Sequence, residues 1–172
     1  MSLVVRQARP SEYAQVGRLT ADAYRADGLL HAEDHPVESS YETKLLDAAL
    51  RAQQAELWVA AGEDEEILGT VTWCPPGSPW RQLAQRADQA EFRMLSVAPA
   101  GRRRGIGRAL VEACLTRARL DKMSEVVIWS HPLMAGAHLL YSRMHFERAY
   151  DLDGSPSPGV HLWGFRLTIH PP

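Results

Sequence analysis

Leu95-Ser96-Val97-Ala98-Pro99-Ala100-Gly101-Arg102-Arg103-Arg104-Gly105-Ile106-Gly107 is the stretch from which the rest of the chain is read. Extended back to Phe92, its apolar start predicts a strand over 92–97 that the following proline and glycine close. From 105 to 119, Ile106, Leu110, Cys114 and Ala118 recur along one edge of a helix. Glycines at a helix start let a ligand approach backbone N–H groups without meeting a Cβ. The first helical turn leaves unpaired N–H donors at the positive end of the macrodipole, and together these form an anion site. Arg102, Arg103 and Arg104 add charge and forked donors suited to phosphate oxygens. Three arginines alone usually mark a solvated turn. The strand before them, the glycine spacing and the helix after them point instead to a phosphate or pyrophosphate.

Two other phosphate motifs fail here. A P-loop needs Gly-Lys-Ser/Thr, and Gly107 is followed by Arg108-Ala109. A dinucleotide fingerprint needs a third glycine where Leu110 stands, and its glycines directly after the strand.

Outward from this segment, Leu3-Val4-Val5 reads as a first strand, and Tyr13, Val16, Leu19 and Ala23 as one face of a helix ending near Gly28. Residues 29–40 read as a loop. A second helix follows, with Tyr41, Leu45, Leu46, Ala49 and Leu50 on one face. Strands at 57–60 and 67–73 flank the turn 62–65 as a hairpin, and 74–79 stop the sheet. Residues 80–89 fit either a short helix or an ordered loop. A buried strand at 126–129, a helix at 135–144 and two strands near 146–152 and 161–169, joined by a loop at 154–159, complete the chain. The order β-α-α-β-β-β-α-β-α-β-β predicts one mixed α/β domain over 1–172, with about seven strands and about four helices.

Composition bounds the function. A hydrophobic fraction of 45% and a charged fraction of 23% are ordinary for a globular domain, so disorder is not expected. The net charge of −2 supplies no field toward nucleic acid or an anionic membrane, so any anion site is local. No basic stripe interleaves with aromatics, which disfavours nucleic acid as a partner. No apolar run approaches 18 residues, so no membrane span is expected. Cys74 and Cys114 belong to no metal-ligand spacing, and with no secretory signal the chain reads as a reduced, cytoplasmic protein. His31 and His35 flank Ala32-Glu33-Asp34 without a helical two-histidine spacing, so no metal is expected there.

Over residues 91–146 the chain resembles the GNAT superfamily of N-acetyltransferases. Arg102-Arg103-Arg104-Gly105-Ile106-Gly107 matches the acetyl-CoA signature Gln/Arg-x-x-Gly-x-Gly/Ala. Leu95-Ser96-Val97-Ala98-Pro99 is similar to the family's strand end, and the run from Ala137 through Tyr141 to Phe146 to its alanine-x3-tyrosine-x3-glycine-phenylalanine helix. His145 stands at the family's glycine, and Met134 where many members place an asparagine.

The resemblance implies a mostly antiparallel sheet in which two adjacent parallel strands, ending at Val97 and near Trp129, splay apart around the cofactor. It implies acetyl-CoA as cosubstrate, no metal, and direct transfer to a primary amine of a small molecule or peptide in a ternary complex. Homodimers are common in the family. Leu95, Ser96, Val97, Arg102, Arg103, Arg104, Gly105, Ile106, Gly107, Arg108 and Ala137 are the implied cofactor contacts, with the Val97 N–H on the thioester oxygen. Tyr141 is the implied general acid: a phenol of pKa about 10 can protonate a thiolate of pKa about 8.5 in a dry site. Otherwise it packs, as helix tyrosines usually do. Glu91, 14 positions before Gly105, is the implied base; its plain alternatives are a solvated strand cap or a pair with Arg93. His131 is either an acceptor-side base or a loop histidine, and the loop with His31 and His35 is expected at the acceptor pocket. Cys114 should face the core, so no acetyl-cysteine is expected. The rival reading is a non-catalytic acyl-CoA-binding module on the same fold.

Overall fold

β2 (Glu56–Ala61) and β3 (Ile67–Cys74) are interior strands of the sheet, and their side chains alternate between two apolar layers. The computed structural model describes residues 3–30 and 36–169, and the side chains of all of these except 36–40. His31, Glu33, Asp34 and His35 therefore lie outside the described residues. On one face Trp58, Ala60, Leu68, Val71 and Trp73 pack under α4 (Ile106–Leu120). On the other, Leu57, Val59, Ala61 and Ile67 meet Val16 of α1 (Tyr13–Ala26) and Ala48 of α3 (Ala48–Gln54). Helices on both faces explain why these strands read as unbroken apolar runs. Trp58 and Trp73 stack at 6.0 Å, and burying each such ring stabilises the fold by roughly 1.5–3 kcal/mol.

The remaining elements are β1 (Val4–Gln7), α2 (Pro36–Leu46), β4 (Gln89–Val97), β5 (Glu125–Ser130), α5 (Ala135–Arg143), β6 (Glu147–Arg148), β7 (Gly154–Ser157) and β8 (Val160–Thr168). The sheet runs β1-β2-β3-β4-β5-β8-β6, with β7 paired to β8. Every pair is antiparallel except β4–β5. This is the mixed, mostly antiparallel sheet expected, with one more strand and one more helix among the described residues.

The extra helix arises at Asp47. Its carboxylate accepts the Leu50 N–H at 2.9 Å and caps α3, splitting the single helix expected there. Leu45 is then buried while Leu46 and Leu50 turn outward. The expected loop over 29–40 is shorter, because α2 starts at Pro36, where proline suits a first helical turn. The extra strand lies in the expected loop 154–159, which is a hairpin whose Ser157 pairs with Val160. Of the expected helix or loop over 80–89, residues 80–88 form an ordered loop without a helix and Gln89 opens β4.

The β4–β5 ladder is short. Gln89 pairs with Glu125, Ala90 with Val126 and Glu91 with Val127, and there the pairing ends. On its other side β4 carries a bulge: Thr70 pairs with Ser96 and Thr72 with Arg93, so Met94 and Leu95 together oppose Val71. Met94 has φ 54°, a left-handed conformation in which a bulge bends its strand. From there β4 follows β3 while β5 follows β8, and a gap opens between them.

Candidate active site

The gap continues into a cleft of about 820 Å³ that runs between α4 and α5 toward α1. Its floor is Leu95, Ser96 and Val97. Ala98 donates to the Leu68 carbonyl of β3 at 2.9 Å. By the alternation of a strand, the Val97 N–H points the other way, into the gap. The Ser96 hydroxyl bonds its own strand, donating to the Met94 carbonyl at 3.3 Å.

At the far end of the cleft the backbone folds into a concave turn. Arg103 and Gly105 both take left-handed φ values, 62° and 80°. Such a turn aims successive N–H groups inward. Ala109 donates the first bond of the helix to the Gly105 carbonyl, so the N–H groups of Ile106, Gly107 and Arg108 remain for a ligand. Gly107 is packed tightly: a Cβ there would sit 3.2 Å from Leu140 and 3.6 Å from Val97.

Arg102, Arg103, Ile106, Arg108 and Ala137 line the cleft with these glycines. Arg102 also bridges to Asp27 at 3.2 Å, and Arg108 to Glu112 at 2.8 Å. Arg104 departs from the expectation. It lines a separate cavity of about 300 Å³ against Gly62, Glu63, Asp64 and Glu66, because the left-handed step at Arg103 turns the chain between them. Arg143 was not foreseen: it is a further cation on the cleft wall, two residues beyond Tyr141, and only the helix places it there.

Tyr141 is buried among Phe92, Phe146 and Phe165, with ring centroids 5.6–6.3 Å away. Leu140 and Met144, on either side of it along the chain, line the cleft. Burial pushes its phenol well above the ordinary value, and Cys114 adds in the same direction. The group therefore stays protonated at neutral pH. Cys114 is buried in the core, and burial raises its thiol well above the usual range.

Glu91 is also fully buried. Its Oε2 accepts N–H bonds from Gln82, Leu83 and Ala84 at 2.9–3.0 Å, and its Oε1 a longer one from Gln82 at 3.2 Å. The implied base is thus committed to ordering the loop 80–89, which a buried carboxylate does well because each donor desolvates with it. Neither a solvated strand cap nor a pair with Arg93 describes it. His131 accepts the Leu133 N–H at 3.1 Å. His138, unremarked in the sequence, stacks on Trp163 at 5.2 Å and shares a hydrogen bond with Ser130 at 3.1 Å; burial lowers its pKa. Among the described residues no three His, Cys, Asp or Glu side chains converge as a metal site, and no helix is long and apolar enough to cross a membrane.

Solved structures share this architecture. PaiA N-acetyltransferase from Thermoplasma acidophilum, in complex with coenzyme A, matches with a TM-score of 0.73 at 15% identity, covering 98% of this chain and 100% of that one. YncA from Salmonella typhimurium, a putative acetyltransferase with acetyl-CoA, matches with a TM-score of 0.64 at 15% identity, covering 98% and 94%. In sequence the chain is 37% identical over 91 residues to rat N-acetyltransferase family 8 member 3, covering 53% of this chain and 38% of that protein. It is 28% identical over 140 residues to human N-acetyltransferase 8B, covering 74% and 57%. The chain thus spans well under two thirds of either relative. Residues 18–146, which contain the cleft, the concave turn and Tyr141, match the Acetyltransferase (GNAT) family, and the chain belongs to that family.

Proposed function

We propose that this protein transfers an acetyl group from acetyl-CoA to a primary amine, with donor and acceptor bound together. One observation carries the reading: a single cleft joins the N–H turn at the start of α4 to the interrupted seam between β4 and β5. Acetyl-CoA supplies an activated thioester, whose acetyl group an amine takes with loss of one proton and release of the thiol. The N–H groups of Ile106, Gly107 and Arg108, with Arg102 and Arg103, fit its pyrophosphate. Backbone groups of Leu95 and Val97 along the open seam fit its amides, as a neighbouring strand would, and the Val97 N–H suits the thioester oxygen. Tyr141 holds the proton for the departing sulfur. Glu91 shapes the loop beside the acceptor rather than taking the amine's proton.

The test is thiol release from acetyl-CoA against a panel of amines, with wild type and Tyr141→Phe. Turnover should fall about 10²-fold or more in the variant, while calorimetric affinity for coenzyme A stays the same. A wild-type protein that binds coenzyme A but releases no thiol, with amines or by hydrolysis, is a binding module instead.

A further inference from the structure

Arg93 stands on β4 two residues from Leu95, on the face opposite α4. Ala90 and Phe92 point to the α4 side, whereas the neighbouring Met94 packs with Ala21 of α1, Leu45 and Trp80. The Arg93 guanidinium lies over the Trp80 ring at 5.9 Å and donates through Nη1 to the Trp80 carbonyl at 2.9 Å. The side chain is only half-buried, and no carboxylate among the described residues pairs with it. Glu91, the acid nearest along the strand, is turned into the loop 82–84.

A second cation lies behind it. Arg51 is fully buried, yet its partners are all neutral: Thr72 Oγ1 at 3.1 Å, Thr20 Oγ1 at 3.2 Å and the Leu45 carbonyl at 2.8 Å. Among the described residues its Nε has no partner. Burial pushes its guanidinium down to about 10, and the like charge of Arg93 acts in the same direction. Tyr24, Tyr41 and Asp47 oppose this, but the two tyrosines are phenols and Asp47 caps α3. Among the described residues, the face opposite α4 therefore holds the guanidinium groups of Arg51 and Arg93 and the carboxylates of Glu91 and Asp47, both of which already accept backbone N–H bonds. With both carboxylates engaged elsewhere, Arg93 keeps donors that an incoming anion can accept from.

We infer that Arg93 selects the acceptor, and that the acceptor carries a carboxylate beside the amine to be acetylated. A guanidinium with spare forked donors binds a carboxylate in two parallel hydrogen bonds. Its place next to Leu95 brings the amine of a compact amino carboxylate toward the segment proposed to hold the thioester. The same cation repels a long polyamine and favours an amine in its uncharged, nucleophilic form. This inference rests on the transferase reading above.

The experiment compares thiol release from acetyl-CoA with matched acceptors: an amino acid, its carboxamide and its decarboxylated amine, for several side chains, with rates corrected for the fraction of free amine. With wild type, kcat/KM for the acid should exceed that for the carboxamide by about tenfold to a hundredfold. Arg93→Met should abolish that preference, chiefly through KM, with coenzyme A affinity unchanged, and Arg93→Lys should keep part of it. Equal use of acids and carboxamides by wild type, or a preference that survives Arg93→Met, overturns the inference and leaves the transferase reading standing. Should Arg93→Met fail to bind coenzyme A, the wild-type series alone decides. No thiol release with any amine overturns both.

Discussion

Glu91 and Arg93 stand two positions apart on one strand and face the same side of the sheet, yet their surroundings give them opposite tasks. The carboxylate is fully buried and saturated with N–H donors from Gln82, Leu83 and Ala84. A hydrogen bond to a charged acceptor is worth about 1.5–3 kcal/mol, and a glutamine in its place presents an N–H₂ to at least one of these donors. Glu91→Gln should therefore lower the unfolding free energy by about 2 kcal/mol in urea titration while leaving the shape of the pH–rate profile intact. Loss of an acidic limb from that profile at unchanged stability would restore Glu91 as the base. The sequence could not separate these roles, because its partners are main-chain groups of a loop with no periodicity. The concave N–H turn at the start of α4 was legible for the converse reason. Its donors are backbone N–H groups, and two glycines at the head of an apolar-striped helix are enough to specify where those point. Arg104 belongs to the same run, but one left-handed residue sends it to another cavity.

The junction of β1 and α1 depends on a single carboxylate. Glu12 accepts Arg6 Nη2 at 2.7 Å and Nη1 at 2.9 Å, and the Arg9 N–H at 2.7 Å, joining the first strand to the turn ahead of the helix. The Arg6 hydrogen bonds, with the Arg9 N–H adding to them, hold its carboxyl down at about 2. A depressed carboxyl pKa stabilises the fold above the unfolded value near 4.5 and loses that contribution as pH falls toward 2. In Glu12→Gln, unfolding free energy should be lower than wild type at pH 7, and the two proteins should converge as pH falls from about 4.5 to about 2. Parallel curves across that window would show that the pair contributes nothing. Strands and helices with strong apolar patterning were readable at this level, including β2, β3 and α4. The elements that escaped prediction are set by side-chain–backbone bonds or by weakly apolar pairing: the Asp47 cap that divides α2 from α3, and the Gly154–Ser157 strand, whose serines and proline read as a loop.

For the molecule as a whole, one cleft is lined from α1, β4, α4 and α5, so a ligand filling it should stabilise the entire fold. Acetyl-CoA at about 100 times its dissociation constant should add about 2.7 kcal/mol, a rise in melting temperature of about 5–10 °C for a chain this size. Stabilisation by ATP or NAD in place of acetyl-CoA would reassign the turn to another phosphate. A sheet that parts in its middle also has two inner edges besides its outer ones, and an open edge ordinarily invites a strand from another chain. Here β4 bends at Met94 while β5 keeps to β8, so the two edges diverge instead of running side by side. A foreign strand must keep a constant spacing of about 4.8 Å to extend a sheet, and no strand can do so against both arms at once. A thin chain with a few amides needs no such register. The bulge thus guards against sheet-to-sheet aggregation while leaving the door open to a narrow guest.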